Sequence, residues 1–118
     1  MTTEVKRGDV FYADLTHNGS PGSSVQSGLR PVVIIQNDIG NAHSPTTIVV
    51  PLTSKQKRRD LPTHVKIRAN RQNGLRCDSV ALLEQVQPID KTNLINYLGS
   101  IDDMSGINHA LMVSVGLT

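Results

Sequence analysis

The chain has 118 residues, with no Trp, one Phe and two Tyr, and a formal net charge of +2. This length suits a single domain, residues 1–118, with an aliphatic core. No apolar run approaches the roughly 20 residues that span a membrane, the opening residues lack a signal-peptide segment, and Cys77 is the only cysteine, so we expect a cytoplasmic protein without a membrane partner or an intrachain disulfide.

The net charge conceals an uneven distribution along the chain. Residues 30–76 contain nine Lys or Arg and two acidic residues, whereas residues 77–118 contain one Lys and five acidic residues. A basic middle segment favours a polyanionic partner, because each phosphate contact releases a counterion. For the run Lys57, Arg58 and Arg59 alone, a solvated loop is the simpler interpretation. The excess, however, extends over several predicted strands and loops, which favours a binding surface.

Five segments have the apolar or alternating pattern of strands: residues 10–15, 31–36, 46–52, 63–67 and 79–83. The second is a continuous apolar run, typical of a strand that is buried on both faces. The segments between the strands are rich in turn-forming residues, and Asn37 and Asp38 are expected to form the turn after the second strand. Short strands at this spacing favour a small barrel or a tightly curled sheet.

The pattern becomes helical after Pro88. Asp90 is a candidate N-cap for one helix. The apolar face of that helix would contain Leu94, Ile95 and Leu98.

A second helix is predicted close to the C-terminus. Either Asp102 or Asp103 is a candidate N-cap, and Gly116 suits the helix end. The residues at helical spacing are Met104, Ile107, Leu111 and Val115. Strands followed by helices predict an α+β domain.

Three motifs, taken in their order and spacing, resemble a known family. They are KRGDVFYADL at residues 6–15, GLRPVVIIQNDIGN at residues 28–41, and SPT at residues 44–46 with the strand that follows it. Together they resemble the MazF/PemK toxins, small endoribonucleases of bacterial toxin–antitoxin pairs, over almost the whole chain. The resemblance implies an SH3-like β-barrel with C-terminal and peripheral helices, a homodimer with an RNA groove made by both subunits, and a MazE-like antitoxin whose acidic C-terminal tail blocks that groove.

Two residues are candidates for catalysis. Arg30 lies where the apolar strand begins, and its guanidinium can hold two phosphate oxygens at once. On its own it would more simply be a surface arginine in a salt bridge, but the resemblance implies that the arginine of the Gly-x-Arg-Pro motif is catalytic. Thr53 ends the following strand and matches the family's active-site Thr/Ser. Its hydroxyl can donate a hydrogen bond to a phosphate oxygen, or it can make an ordinary hydrogen bond within the turn at the strand end.

A loop rich in Gly and Ser, residues 16–29, precedes Arg30 and is predicted to act as a lid over substrate. Ser24 and Gln26 match the family's Ser-Glu-Gln and are candidate RNA contacts, but Val25 replaces the acid that is a candidate general base in other members. The identity of the proton acceptor is therefore open. Ser54 is a further candidate for a neighbouring phosphate.

Three more residues are candidate RNA contacts. His64 can accept a proton near neutral pH, although a structural role, base stacking or phosphate binding is as good an interpretation. Glu84 and Gln85 resemble the family's stretch after the central basic loop, and such side chains can read unstacked bases. The alternative for this pair is a capped strand end.

No metal or cofactor is expected, because the four histidines and Cys77 are far apart in sequence. Together with these residues, the resemblance implies a ribosome-independent endoribonuclease toxin that cleaves single-stranded mRNA at specific sequences without a metal, leaving 2′,3′-cyclic phosphate and 5′-hydroxyl ends. Two alternatives remain: a non-catalytic, CcdB-like toxin that binds gyrase through its C-terminal helix, and a non-catalytic RNA-binding domain.

Overall fold

The computed structural model describes residues 4–16, 28–55 and 61–118. The strands are β1 (Asp9–Asp14), β2 (Leu29–Ile34), β3 (Thr46–Thr53), β4 (His64–Ile67), β5 (Ser79–Leu82), β6 (Gln87–Asp90) and β7 (Leu94–Ser100). The helices are α1 (Asp38–His43), after β2, and α2 (Ser105–Ser114), after β7. Within these described ranges, no helix is long and apolar enough to cross a membrane.

The strands pair antiparallel throughout, in the order β4-β5-β3-β2-β1-β7. Strand β6 also pairs with β3, on the side away from β2. Strand β3 therefore serves two neighbours on one side: Leu52 and Thr53 pair with β5, whereas residues 46–49 pair with β6. The predicted α+β class is confirmed. The sheet is curled but not closed by a further pairing among the described strands.

The core forms on both faces of the central strands because their side chains alternate between two clusters. Val33 and Val50 lie in a cluster that α2 covers with Ile107 and Ala110. The intervening residue Val32 lies in the other cluster, to which β1, β3, β6 and β7 also contribute. The sheet thus curls around this second cluster, and burial on both faces explains the continuous apolar run of β2.

The five strands expected from the sequence are all present, with ends that shift by one or two residues. Segment 37–45, expected to be a turn, contains the short helix α1. The side-chain oxygen of Asn37 accepts a hydrogen bond of 2.8 Å from the N–H of Gly40 and so caps this helix. Strand β6 was not expected, and it pairs antiparallel with β3, with Thr47 opposite Ile89.

The helix predicted after Asp90 was wrong. A 3-10 turn at Lys91–Asn93 leads directly into β7, and the side chain of Asp90 makes no capping hydrogen bond. The apolar spacing that suggested a helix is overridden by pairing with β1, in which Phe11 lies opposite Tyr97. An exposed strand edge on β1 would leave backbone groups unpaired, and β7 satisfies them.

The predicted C-terminal helix is confirmed as α2. The predicted N-cap was wrong, because the N-cap position is Met104 and has no side-chain capping hydrogen bond. The carboxylate of Asp103 accepts a hydrogen bond of 3.0 Å from the N–H of Ser105, the first helical residue. Gly116 follows the helix with a φ of +77°, as expected for a glycine at a helix end. Ile107 and Ala110 face the core, so α2 covers one face of the sheet.

Candidate functional site

The end of β3 and the starts of β2 and β5 meet at one edge of the sheet, which strand ends form rather than an edge strand. The register of β2 and β3 places Val32 opposite Pro51. Arg30 and Thr53 each lie two residues beyond this pair, toward the same end of the sheet. Because antiparallel strands alternate in direction, the start of β5 at Ser79 reaches the same edge, with Val80 opposite Thr53. The sheet therefore unites two candidates that are 23 positions apart in the chain.

Arg30 and Thr53 line one cleft of about 460 Å³ at this edge. The other lining residues are Tyr12, Leu29, Pro31, Leu52, Ser54, Lys55, Cys77 and Ser79. Burial lowers the pKa of the Arg30 guanidinium, and the nearby Tyr12 phenol offsets part of this effect by raising that pKa. The guanidinium remains charged near neutral pH. A partly desolvated cation attracts an anion more strongly than one in bulk water, so this cleft favours a phosphate.

The hydroxyl of Thr53 is available to a ligand. Its oxygen accepts a bond of 3.2 Å from the N–H of Lys55, which is the strand-end contact expected of a structural threonine. A hydroxyl also has one hydrogen to donate. The backbone turn held by this contact places Ser54 in the same cleft as Thr53. The structural and the ligand-binding interpretation of Thr53 are therefore compatible.

Two further clefts adjoin the first and extend its basic surface. One has a volume of about 430 Å³ and shares Thr53, Ser54 and Ser79 with the Arg30 cleft. The other, of about 410 Å³, also includes Ser79. The cations that line the three clefts are Arg30, Lys55, Lys66, Arg68 and Arg76, and the one acid among their described lining residues is Asp78. This excess of positive charge suits a polyanion.

His64 and Glu84 lie at the other end of the β4–β5 pair. His64 is opposite Leu82, whereas Ile67 and Ser79 form the end of this pair that reaches the clefts. Nε2 of His64 is 3.0 Å from Oε2 of Glu84. The Thr63 hydroxyl donates a bond of 3.0 Å to Oε1 of the same carboxylate. The structure thus joins His64 to Glu84 but does not bring either into the Arg30 cleft.

The Glu84 carboxylate is held mainly by its hydrogen bonds. Burial alone raises the pKa of this carboxyl, but bonds from His64, from the backbone of Glu84 itself and from Thr63 outweigh the burial, so the pKa lies below its ordinary value. Its neighbour Gln85 accepts a backbone bond of 3.2 Å from the side chain of Gln87. Glu84 and Gln85 lie in a short 3-10 turn, Leu83–Gln85, that directly follows β5. Their predicted contact with bases and the alternative of a capped strand end both stay predictions.

Replacing Glu84 with Gln should remove a pH-dependent contribution to stability. Because the folded pKa is lowered, the ionised carboxylate stabilises the fold above the unfolded pKa of about 4.3 and loses that effect as pH falls through the folded pKa. We expect urea unfolding at neutral pH to show a loss of about 0.5–1 kcal/mol for Glu84→Gln. The difference in the free energy of unfolding between wild type and variant should disappear at acid pH.

A control for this measurement is Asp102→Asn. Asp102 is exposed, and its carboxylate has no hydrogen bond or ion pair with the other described residues. Its substitution should leave stability the same at both pH values. A Glu84→Gln gap that stays constant from neutral to acid pH would contradict a role for the ionised carboxylate.

Several predicted contact residues fall outside the described ranges. These are Ser24, Gln26, Lys57, Arg58 and Arg59, together with Val25 and most of the predicted lid. Their roles stay predictions.

The clefts include residues that the sequence did not single out, notably Tyr12, Lys66, Arg68, Arg76 and Ser79. The basic excess of the middle segment was the available signal for the three cations. Nothing in the sequence assigned them to one surface, since that depends on which strand ends are adjacent.

Comparisons with known proteins show which family and which structures this chain resembles. Residues 6–115 match the family described as PemK-like, MazF-like toxin of type II toxin-antitoxin system. Endoribonuclease EndoA of Bacillus subtilis is 49% identical over 116 residues, which cover 96% of this chain and 96% of the relative. Endoribonuclease MazF of Staphylococcus saprophyticus is 46% identical over 116 residues, covering 96% and 92%. A solved endoribonuclease in complex with its cognate antitoxin, from Mycobacterial species, has a TM-score of 0.76 at 28% identity and covers 97% of both chains.

Proposed function

The chain belongs to the PemK-like, MazF-like toxin family, and on that premise we propose that it is a ribosome-independent endoribonuclease that cleaves single-stranded mRNA at specific sequences without a metal ion. The names of the two curated relatives support the endoribonuclease activity. One observation of this structure carries the proposal: Arg30 and Thr53 line a single cleft on a basic surface.

In the proposed reaction the 2′-hydroxyl attacks the adjacent phosphorus. The O2′–P bond forms, the P–O5′ bond breaks, the 2′ proton passes to an acceptor, and the 5′ oxygen gains a proton, so the ends are a 2′,3′-cyclic phosphate and a 5′-hydroxyl. Negative charge accumulates on the phosphate oxygens in the transition state. The Arg30 guanidinium is the group that stabilises this charge, since two of its N–H groups can bond two oxygens together.

Thr53 and Ser54 supply neutral donors beside that cation. Each hydroxyl can donate to a phosphate oxygen, which orients the group for in-line attack. The described lining of the cleft contains neither a carboxylate nor an imidazole. The contribution of Arg30, Thr53 and Ser54 is therefore electrostatic and positional, and the proton acceptor is neither a carboxylate nor an imidazole of this lining.

The wider basic surface suits the rest of the RNA strand. Lys55, Lys66 and Arg68 line the clefts next to Arg30, and phosphates that bind them would release counterions. The same charge suits an acidic peptide, so we propose that an antitoxin tail competes with RNA for this surface. The solved complex of a related endoribonuclease with its cognate antitoxin supports an antitoxin partner.

Three structural features belong to the same proposal. The curled sheet corresponds to an SH3-like barrel with attached helices, residues 1–118 act as one domain, and the protein functions as a homodimer whose groove both subunits form. The antiparallel sheet with α2 on one face supports the first of these. Sedimentation analysis of the purified protein would test the third.

Incubating the purified protein with a long single-stranded RNA in excess EDTA tests the function. We expect cleavage at a restricted set of sites and fragments with cyclic phosphate and 5′-hydroxyl ends, because the cation on the phosphate is a side chain rather than a metal. A matched DNA strand, which lacks the 2′-hydroxyl, serves as the control and should remain intact. Fragments with 5′-phosphate ends, or cleavage abolished by EDTA, would contradict the proposed chemistry.

A further inference from the structure

The cleft of about 410 Å³ beside the Arg30 cleft has the features of a binding subsite. The two clefts share Tyr12, Pro31, Cys77 and Ser79. Tyr12 is close enough to Arg30 for its phenol to affect the pKa of the guanidinium. A ligand group bound in the second cleft would therefore be a direct neighbour of a group held by Arg30.

The lining of this second cleft combines an aromatic ring, an amide and a cation. Tyr12 and Asn96 lie opposite each other on β1 and β7. Arg76 enters from the loop before β5, and Leu75 and Leu98 provide apolar surface. Asn96 and Arg76 are exposed, and neither side chain has a hydrogen-bond or ion-pair partner among the residues that the structure describes.

The loop that carries Arg76 is held rigidly in place. Asn73 is buried, and its side chain bonds the backbone of Arg68 at 2.9 Å, of Asn70 at 3.1 Å and of Leu75 at 3.0 Å. A bond of 2.9 Å from the N–H of Ser100 to the carbonyl of Gln72 attaches the loop to β7. These bonds fix the backbone of one wall of the cleft, which reduces the entropy lost when a ligand binds there.

We propose that this cleft binds the nucleotide next to the scissile phosphate, with its base against Tyr12, its base edge on the Asn96 amide and its phosphate on Arg76. Unstacked bases in single-stranded RNA are commonly bound by aromatic stacking and read at their edges by amides. A volume of about 410 Å³ lies in the range of small-ligand sites. The inference rests on the proposed function, since it makes Asn96 a specificity-determining residue of the same reaction.

Asn96→Ala and Asn96→Asp test this assignment, with cleavage sites in a randomised RNA pool mapped by sequencing. Wild type should favour certain bases at one position next to the cut. Asn96→Ala should relax that preference and lower kcat/KM at the preferred site roughly tenfold. Asn96→Asp replaces a donor with an acceptor and should change which base is favoured. Arg76→Ala should raise KM about equally for all sequences, because a phosphate contact carries no sequence information.

The matched control is Asn93→Ala. Asn93 precedes β7 and lines none of the clefts described above, so its substitution should leave the base preferences unchanged. If wild type cleaves selectively and both Asn96 variants keep its preference at every position, the subsite is refuted while the ribonuclease assignment stands. Unchanged cleavage with weaker inhibition by an acidic antitoxin peptide would assign the cleft to the antitoxin and also refute the proposal. A wild type that cleaves no RNA overturns both.

Discussion

Arg30→Ala is expected to reduce RNA cleavage several hundred-fold or more, with the fold retained. The guanidinium meets a phosphate that becomes more negative in the transition state, so its loss should cost on the order of 3–4 kcal/mol of barrier. Single-turnover cleavage of one defined RNA measures this directly. Arg30→Lys should recover only part of the rate, because an ammonium group cannot hold two oxygens in a planar fork.

Arg71→Ala is the matched control for that substitution. Arg71 is exposed and lines none of the clefts, so cleavage should stay near the wild-type rate. The cleavage rate of Thr53→Ala should lie between those of Arg30→Ala and Arg71→Ala, about tenfold below wild type, since a neutral hydroxyl stabilises charge less than a cation does. An Arg30→Ala protein that cuts at the normal rate would show that this cleft is not the catalytic site.

Gly74→Ala is expected to lower the free energy of unfolding by a large amount, on the order of 3–4 kcal/mol, from left-handed backbone strain combined with a steric clash. Gly74 has a φ of +68°, and an added Cβ would lie 2.0 Å from the carbonyl oxygen of Leu98. That oxygen belongs to the backbone of β7 and cannot move without disturbing the sheet. Urea unfolding, monitored by circular dichroism, measures the change in the free energy of unfolding.

Gly116→Ala separates the clash from the backbone strain. Gly116 has a similar φ of +77°, but nothing lies within 4 Å of an added Cβ. The expected cost is about 1 kcal/mol, from the left-handed conformation alone. Equal losses in the two variants would show that Gly74 is required only for its φ and that the loop can separate from β7.

The sequence by itself determined those elements whose signals are local. The apolar runs of β2 and β3 require burial on both faces, and α2 has the spacing of a helix that covers one face. The motif around Arg30 and the position of Thr53 at a strand end were also readable, because each depends on nearby residues. The observed strand ends differ from the predicted ones by one or two residues, which is the scale on which strand ends depend on pairing.

Tertiary structure alone decided the features that depend on distant partners. Residues 94–98 have an apolar spacing compatible with a helix, yet they form β7 because the edge of β1 needs hydrogen-bond partners. The same long-range pairing brings Tyr12, Asn96 and Arg76 around one cleft and places His64 with Glu84 at the other end of the β4–β5 pair. No local propensity encodes such neighbours, since they arise from strand order and register rather than from the residues beside them in the chain.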